Sequence, residues 1–186
     1  MNLIITTSRE PSRRTRTLVN ELRRVIPNTI KFNRGKATYK DLALLTKRYN
    51  SQGILIILEM KGNPSMLMYL VPMEGYNALM KRYLITLKSV KLLREMQGAQ
   101  MPYNVKELLL NASKVPHGLP QEVGEAITEI FKPALTLSGN DPASSLELVI
   151  TGCEDSAEVS FYCVLTGRPC GPLLTISKVV RVEESV

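Results

Sequence analysis

Ile54-Leu55-Ile56-Ile57-Leu58 is an apolar run with no polar break. A strand with one wet face alternates apolar and polar residues, whereas an unbroken run of this length suits a strand covered on both faces. Such a strand needs helices above and below its sheet, and the residues before it supply them. Residues 2 to 6 read as a first strand. From Ser12 to Ile26 the apolar positions Leu18, Val19, Leu22, Val25 and Ile26 recur at helical spacing. Pro11 fits the first turn of that helix and Pro27 ends it. Thr29 to Phe32 is a short second strand. Thr38-Tyr39-Lys40-Asp41 has the form of a capping box and opens a second helix to about Asn50, with Leu42, Leu45 and Tyr49 on one face. After the apolar run, Lys61-Gly62-Asn63-Pro64-Ser65 is a turn by composition, and Met66 to Val71 pairs back as a strand. The order β-α-β-α-β-turn-β predicts an α/β fold; if the first two strands are parallel neighbours, the loops that follow them form one patch.

The rest of the chain is less regular. Tyr83 to Leu93 reads as extended and Gly98 to Pro102 as a loop. Leu108-Leu109-Leu110 is ambiguous between strand and helix. Pro116 to Pro120 reads as a loop, Gln121 to Phe131 as a helix closed by Pro133, and Gly139-Asn140-Asp141-Pro142 as a turn. Three strands follow, Leu146 to Ile150, Glu158 to Leu165 and Leu173 to Val182; the turn from Gly167 to Pro172 joins the last two. This β-α-β-β-β order echoes the first half with one helix missing. It predicts two similar α/β halves with mixed sheets, residues 1–85 and 86–186, within a length that allows one domain or two small ones.

Charge is segregated along the chain. Residues 1–50 hold twelve Lys or Arg and three acids, a balance of +9; the remainder holds twelve bases and fourteen acids, or −2. The net +7 is therefore an N-terminal property, which points to a polyanionic partner. The plainer alternative is a basic face kept for solubility. The cations cluster in two loops that leave the carboxyl ends of the first two strands. One carries Ser8, Arg9, Ser12, Arg13, Arg14 and Arg16; the other carries Asn33, Arg34, Gly35 and Lys36. In an open α/β sheet those strand ends share one edge, where ligands bind. Arg forks suit phosphate oxygens, hydroxyls complete the contact, and a helix start favours anions. The chain has three Phe and no Trp. An exposed stacking platform is thus not expected, and recognition by backbone and shape fits better.

The composition also excludes. Arg34-Gly35-Lys36-Ala37 lacks the leading Gly and the hydroxyl of a phosphate loop. His117, the single histidine, stands between Pro116 and Gly118 with no nucleophile nearby in sequence. Glu154-Asp155 and Glu183-Glu184 read as solvated charges. Cys153, Cys163 and Cys170 are odd in number and lack a zinc spacing, so free, reduced thiols are expected. No apolar run approaches the ~20 residues of a membrane-spanning helix, and the N-terminus does not read as a signal peptide. The expectation is a cytoplasmic, non-catalytic protein with no cofactor, metal, membrane or small-molecule substrate.

Several stretches together resemble the Brix domain. They are Ile4-Ile5-Thr6-Thr7-Ser8-Arg9-Glu10-Pro11-Ser12 with Arg13 to Arg16, Ile26-Pro27-Asn28, Asn33-Arg34-Gly35-Lys36, Lys61-Gly62-Asn63-Pro64, Val90 to Glu95, and Gly167-Arg168 with Gly171-Pro172. The chain is similar to the short, stand-alone archaeal members. Where the family often has Arg after the late Gly-Pro, this chain has Leu173. The resemblance implies a ribosome biogenesis factor that binds ribosomal RNA or its precursor, working among other assembly proteins. It also implies a single Brix domain of two halves, each like the anticodon-binding domain of class II aminoacyl-tRNA synthetases. On this reading the RNA contacts are Ser8, Arg9, Ser12, Arg13, Arg14, Arg16, Arg34, Lys36, Lys61 and Asn63, while Pro11, Gly35 and Pro64 shape the loops. The rivals are a protein-interaction module within an assembly complex and an RNA-processing enzyme.

Overall fold

The computed structural model describes residues 2–135 and 141–186. Strand β1 (Asn2–Thr7) leads to helix α1 (Arg13–Val25), strand β2 (Thr29–Lys31), helix α2 (Tyr39–Arg48) and strands β3 (Ser51–Met60), β4 (Asn63–Pro72) and β5 (Leu79–Lys91). Then come β6 (Glu107–Leu110), α3 (Leu119–Phe131), β7 (Ser145–Cys153), β8 (Ser156–Cys163) and β9 (Leu173–Ser185). The nine strands of the described residues join one mixed sheet in the order β2-β1-β3-β4-β5-β9-β8-β7-β6.

β1 lies between β2 and β3 and is parallel to both. β3, β4 and β5 then run antiparallel. From the other end, β6 and β7 are parallel, and β7, β8 and β9 are antiparallel. The two runs meet at the antiparallel β5–β9 pair. The sheet is therefore continuous, and β5 lies across the expected division at residues 85 and 86.

The apolar run of β3 is covered on both faces as its composition requires. Leu55 and Ile57 pack with Leu18 and Leu22 of α1, and Ile54 and Ile56 pack with Leu42 and Ala43 of α2. Ile54 to Ile57 are all inaccessible to solvent. The larger cluster also takes in Val123, Ile127 and Ile130 of α3, so α1 and α3 share one side of the sheet and α2 covers the other.

The capping box of α2 forms as expected: the Thr38 hydroxyl accepts from the Asp41 N–H, and the Asp41 carboxylate accepts from the Thr38 N–H at 2.8 Å. Several expectations need correction. Pro11 precedes α1 rather than entering it, because Ser12 is the cap. Tyr49 is the cap at the end of α2 and is exposed, outside the apolar cluster that takes in Leu42 and Leu45. Leu108-Leu109-Leu110 is a strand paired with β7. Helix α3 starts at Leu119, two residues early, with Pro120 in its first turn, where the missing N–H costs nothing. Pro64 sits inside β4, opposite Glu59 at an irregularity in the ladder. The expected turn at Gly139 and Asn140 falls outside the described residues; the Asp141 side chain caps the short helical turn Pro142–Ser144.

The cysteines also differ from expectation. Cys163 and Cys170 form a disulfide, and Cys153 is free and exposed. The N–H of Cys163 donates to the Arg168 carbonyl and that of Cys170 to the Phe161 carbonyl. This tight turn brings the two Cα atoms to 5.7 Å, inside the range a disulfide spans. The spacing of seven residues carries no such signal by itself.

Candidate nucleic-acid interface

β2, β1 and β3 run in the same direction, so their carboxyl ends share one edge. Hydrogen bonds hold the loops there: the Phe32 N–H donates to the Ile5 carbonyl and the Ser8 N–H to the Ile57 carbonyl. The β3–β4 hairpin turns at the same edge through Lys61 and Gly62, both at positive φ, a conformation glycine adopts without steric cost. The two basic loops and the hairpin therefore lie side by side.

The start of α1 is already occupied. Ser12 caps it, its hydroxyl accepting from the Thr15 N–H. The Glu59 carboxylate accepts from the Ser12 N–H at 2.9 Å and from the Thr15 hydroxyl. Burial alone would raise the Glu59 carboxyl, but the hydrogen bonds from Thr15 and Ser12 outweigh it and the net shift is downward. A carboxylate thus fills the anion position at the helix start that the sequence suggested for phosphate. Ser12 anchors the loop.

The cations fall into two groups. Arg9, Arg13 and Arg16 are exposed, and their side chains form no hydrogen bond or ion pair with another described residue. On the solvent side of α1, Arg13 and Arg16 continue into the exposed Arg23 and Arg24. Lys36, Lys61 and Asn63 are exposed, and the Asn63 amide closes its turn onto the Lys61 carbonyl. Ser8 is partly exposed.

Arg14 and Arg34 turn inward. Arg14 donates to both Glu95 carboxylate oxygens, at 2.5 and 2.8 Å, and to the Val90 carbonyl at 2.6 Å. The Arg14 guanidinium, helped by the Leu92 N–H, pulls the Glu95 carboxyl down to about 2. Nearby, the Glu21 carboxylate accepts from the Leu93 N–H at 2.9 Å. Burial pushes the Glu21 carboxyl upward, opposed by that N–H and by Arg24 and Arg94. Arg14 therefore ties α1 to the segment after β5. Arg34 is only 8% exposed, its guanidinium 4.9 Å from the centre of the Tyr39 ring and its Nε 3.4 Å from the Ala37 carbonyl. It braces the second loop against α2.

Sequence reasoning missed Lys31 and Phe32. Both line a cleft of about 330 Å³ between the two loops, with Thr7, Pro11, Arg16, Val19, Asn33, Arg34 and Gly35. Their signal was available, since the last residue of β2 and the one after it must sit at the shared edge. Elsewhere, His117 is exposed and contacts Gln121. Among the described residues no three of His, Cys, Asp and Glu are grouped as a metal site, and no helix is long and apolar enough to cross a membrane.

No family model matches the chain. Among curated proteins it is 40% identical to a "probable Brix domain-containing ribosomal biogenesis protein" of Pyrococcus horikoshii, over 94% of this chain and 82% of the relative. A relative of the same description from Aeropyrum pernix is 29% identical over 94% of both chains. Among solved structures, that of a probable ribosomal biogenesis protein from Aeropyrum pernix superposes with a TM-score of 0.83, at 24% identity, covering 98% of this chain and 99% of the other. An archaeal Imp4-like protein superposes with a TM-score of 0.68 at 22% identity, covering 97% and 99%. These two likenesses establish the mixed α/β fold.

Proposed function

The chain belongs to the family of Brix domain-containing ribosomal biogenesis proteins, and from that premise we propose that it binds ribosomal RNA or its precursor through the basic edge of its sheet. The observation that carries the reading is the row of Arg9, Arg13 and Arg16 with Lys36 and Lys61, all exposed at one edge. Arginines without internal partners are free to exchange counterions for phosphates. Arg14 and Arg34 support the loops that present them. The role is non-catalytic and cytoplasmic, and it needs no cofactor.

The division into two halves, each like an anticodon-binding domain, belongs to the same reading. It is supported by the pairing order of the sheet: three parallel strands from one end and a parallel pair from the other, each followed by antiparallel strands, meeting at β5 and β9. The test of function is crosslinking in the native cells, followed by sequencing of the bound RNA. The reading expects ribosomal or precursor RNA, with crosslinked peptides from residues 8–16 and 33–36. Crosslinks to assembly proteins alone would support a protein-interaction module instead.

A further inference from the structure

We infer that the cleft between the first two loops takes a single nucleotide of the bound strand, its base against Phe32 and its phosphate on Arg16 and Lys31. This rests on the reading of the edge as an RNA interface. The lining holds three cations, Arg16, Lys31 and Arg34, and no carboxylate. Three other clefts of the molecule each include a glutamate: Glu107 in one, Glu147 in another, Glu125 and Glu129 in the third. The absence of an acid here is therefore not a general property of its hollows.

The charges are also available. The Lys31 ammonium donates to the neutral Asn20 amide oxygen at 2.9 Å, which orients it without neutralising it. Arg16 forms no salt bridge among the described residues; its charge reaches the Glu59 carboxylate, but that carboxylate is held by Ser12 and Thr15. Pro11, Val19 and Phe32 add an apolar wall. A phosphate alone has no use for such a wall, and an apolar ligand would leave three cations desolvated. A nucleotide has both parts, a flat ring system and an anion. At about 330 Å³ the volume lies at the lower end of the range for small-ligand sites. Of the three Phe, Phe131 and Phe161 are buried near each other in the core; Phe32 packs against the α2-side cluster, is partly exposed and also lines the cleft. Stacking on a ring tolerates any base, which agrees with an edge built for backbone recognition.

The test uses the full chain with oligouridylate of about ten nucleotides, within the site sizes of single-strand binders, and the matching oligomer whose sugars lack bases. Uridine monophosphate is the third probe. Oligouridylate should bind at least about fivefold more tightly than the baseless oligomer, the lower range of one stacked base. Phe32→Leu should reduce that ratio to near one, and Phe32→Tyr should preserve it. Lys31→Gln should weaken both oligomers together. The monophosphate should compete weakly, because it lacks the flanking phosphate contacts. Tighter binding of the monophosphate than of the oligomer would instead assign the cleft to a free nucleotide and overturn the proposal.

Equal binding of the two oligomers would also overturn it, while leaving a phosphate-reading edge intact. Failure of both to bind would remove the RNA reading along with it. Should Phe32→Leu fail to fold, photocrosslinking of a 4-thiouridine oligomer to the wild type decides. A crosslinked peptide containing Phe32 supports the proposal, and crosslinks confined to other peptides contradict it.

Discussion

Arg14 and Glu95, 81 residues apart, form a two-pronged ion pair that fastens the first turn of α1 to the segment leaving β5. The Val90 carbonyl takes a further Arg14 N–H, and Glu95 in turn holds the Leu92 N–H. The interaction gives an arginine of the basic stretch a structural duty. Arg14→Gln should lower stability by about 1 kcal/mol, the upper end for partly exposed pairs, whereas Arg13→Gln should stay within about 0.5 kcal/mol. Chemical denaturation of the single and double variants with Glu95→Gln measures the coupling. Full additivity would show that the pair contributes nothing.

Acid should expose the same pair. Glu95 titrates near 2 in the folded chain, below the ordinary value of 4.5. A depressed carboxyl stabilises fully above its unfolded pKa and loses that contribution as pH falls through the folded one. Between pH 4.5 and about 2 the wild type should therefore lose stability relative to Glu95→Gln. Glu21 is shifted the other way by burial, so its protonation favours the fold as pH falls. Parallel stability profiles for wild type and Glu95→Gln over this window would contradict the assignment.

Glu59 separates order from charge. Glu59→Ala removes an acid beside Arg16, and by charge alone RNA should bind more tightly. Its carboxylate, however, holds Ser12 and Thr15 at the start of α1. Loss of that acceptor should cost about 1–3 kcal/mol of stability and should weaken RNA binding by loosening the first loop. Tighter binding would mean that loop order is irrelevant.

The disulfide predicts a thiol count. Denatured without reductant, the protein should show one reactive thiol, that of Cys153, and three after reduction. Opening so short a loop should cost about 2–3 kcal/mol. Three thiols before reduction would exclude the bond.

What the sequence revealed was local. The apolar run of β3, the box from Thr38 to Asp41 and the stripe of α1 each lie within a few residues and obey one period. The shared loop edge followed from strand direction alone. What stayed hidden needed partners far along the chain: Glu95 for Arg14, Glu59 for Ser12, and β9 for β5. The packing of Arg34 stayed hidden for a related reason. In sequence it is a loop cation like Lys36, and only the return of α2 brings Tyr39 beneath its guanidinium.

The exposed arginines carry the account, and the salt dependence of RNA affinity tests them most directly. Bound phosphates release counterions, so log affinity falls linearly with log salt, by about 0.9 per contact for duplex and about 0.7 for single strands. The triple variant of Arg9, Arg13 and Arg16 to Gln should bind a structured ribosomal RNA fragment more weakly, with a slope flatter by about two to three units. The variant of Lys106, Lys114 and Lys132 to Gln removes equal charge elsewhere and should leave the slope near that of the wild type. Equal flattening in the two variants would contradict a local site and leave only net charge.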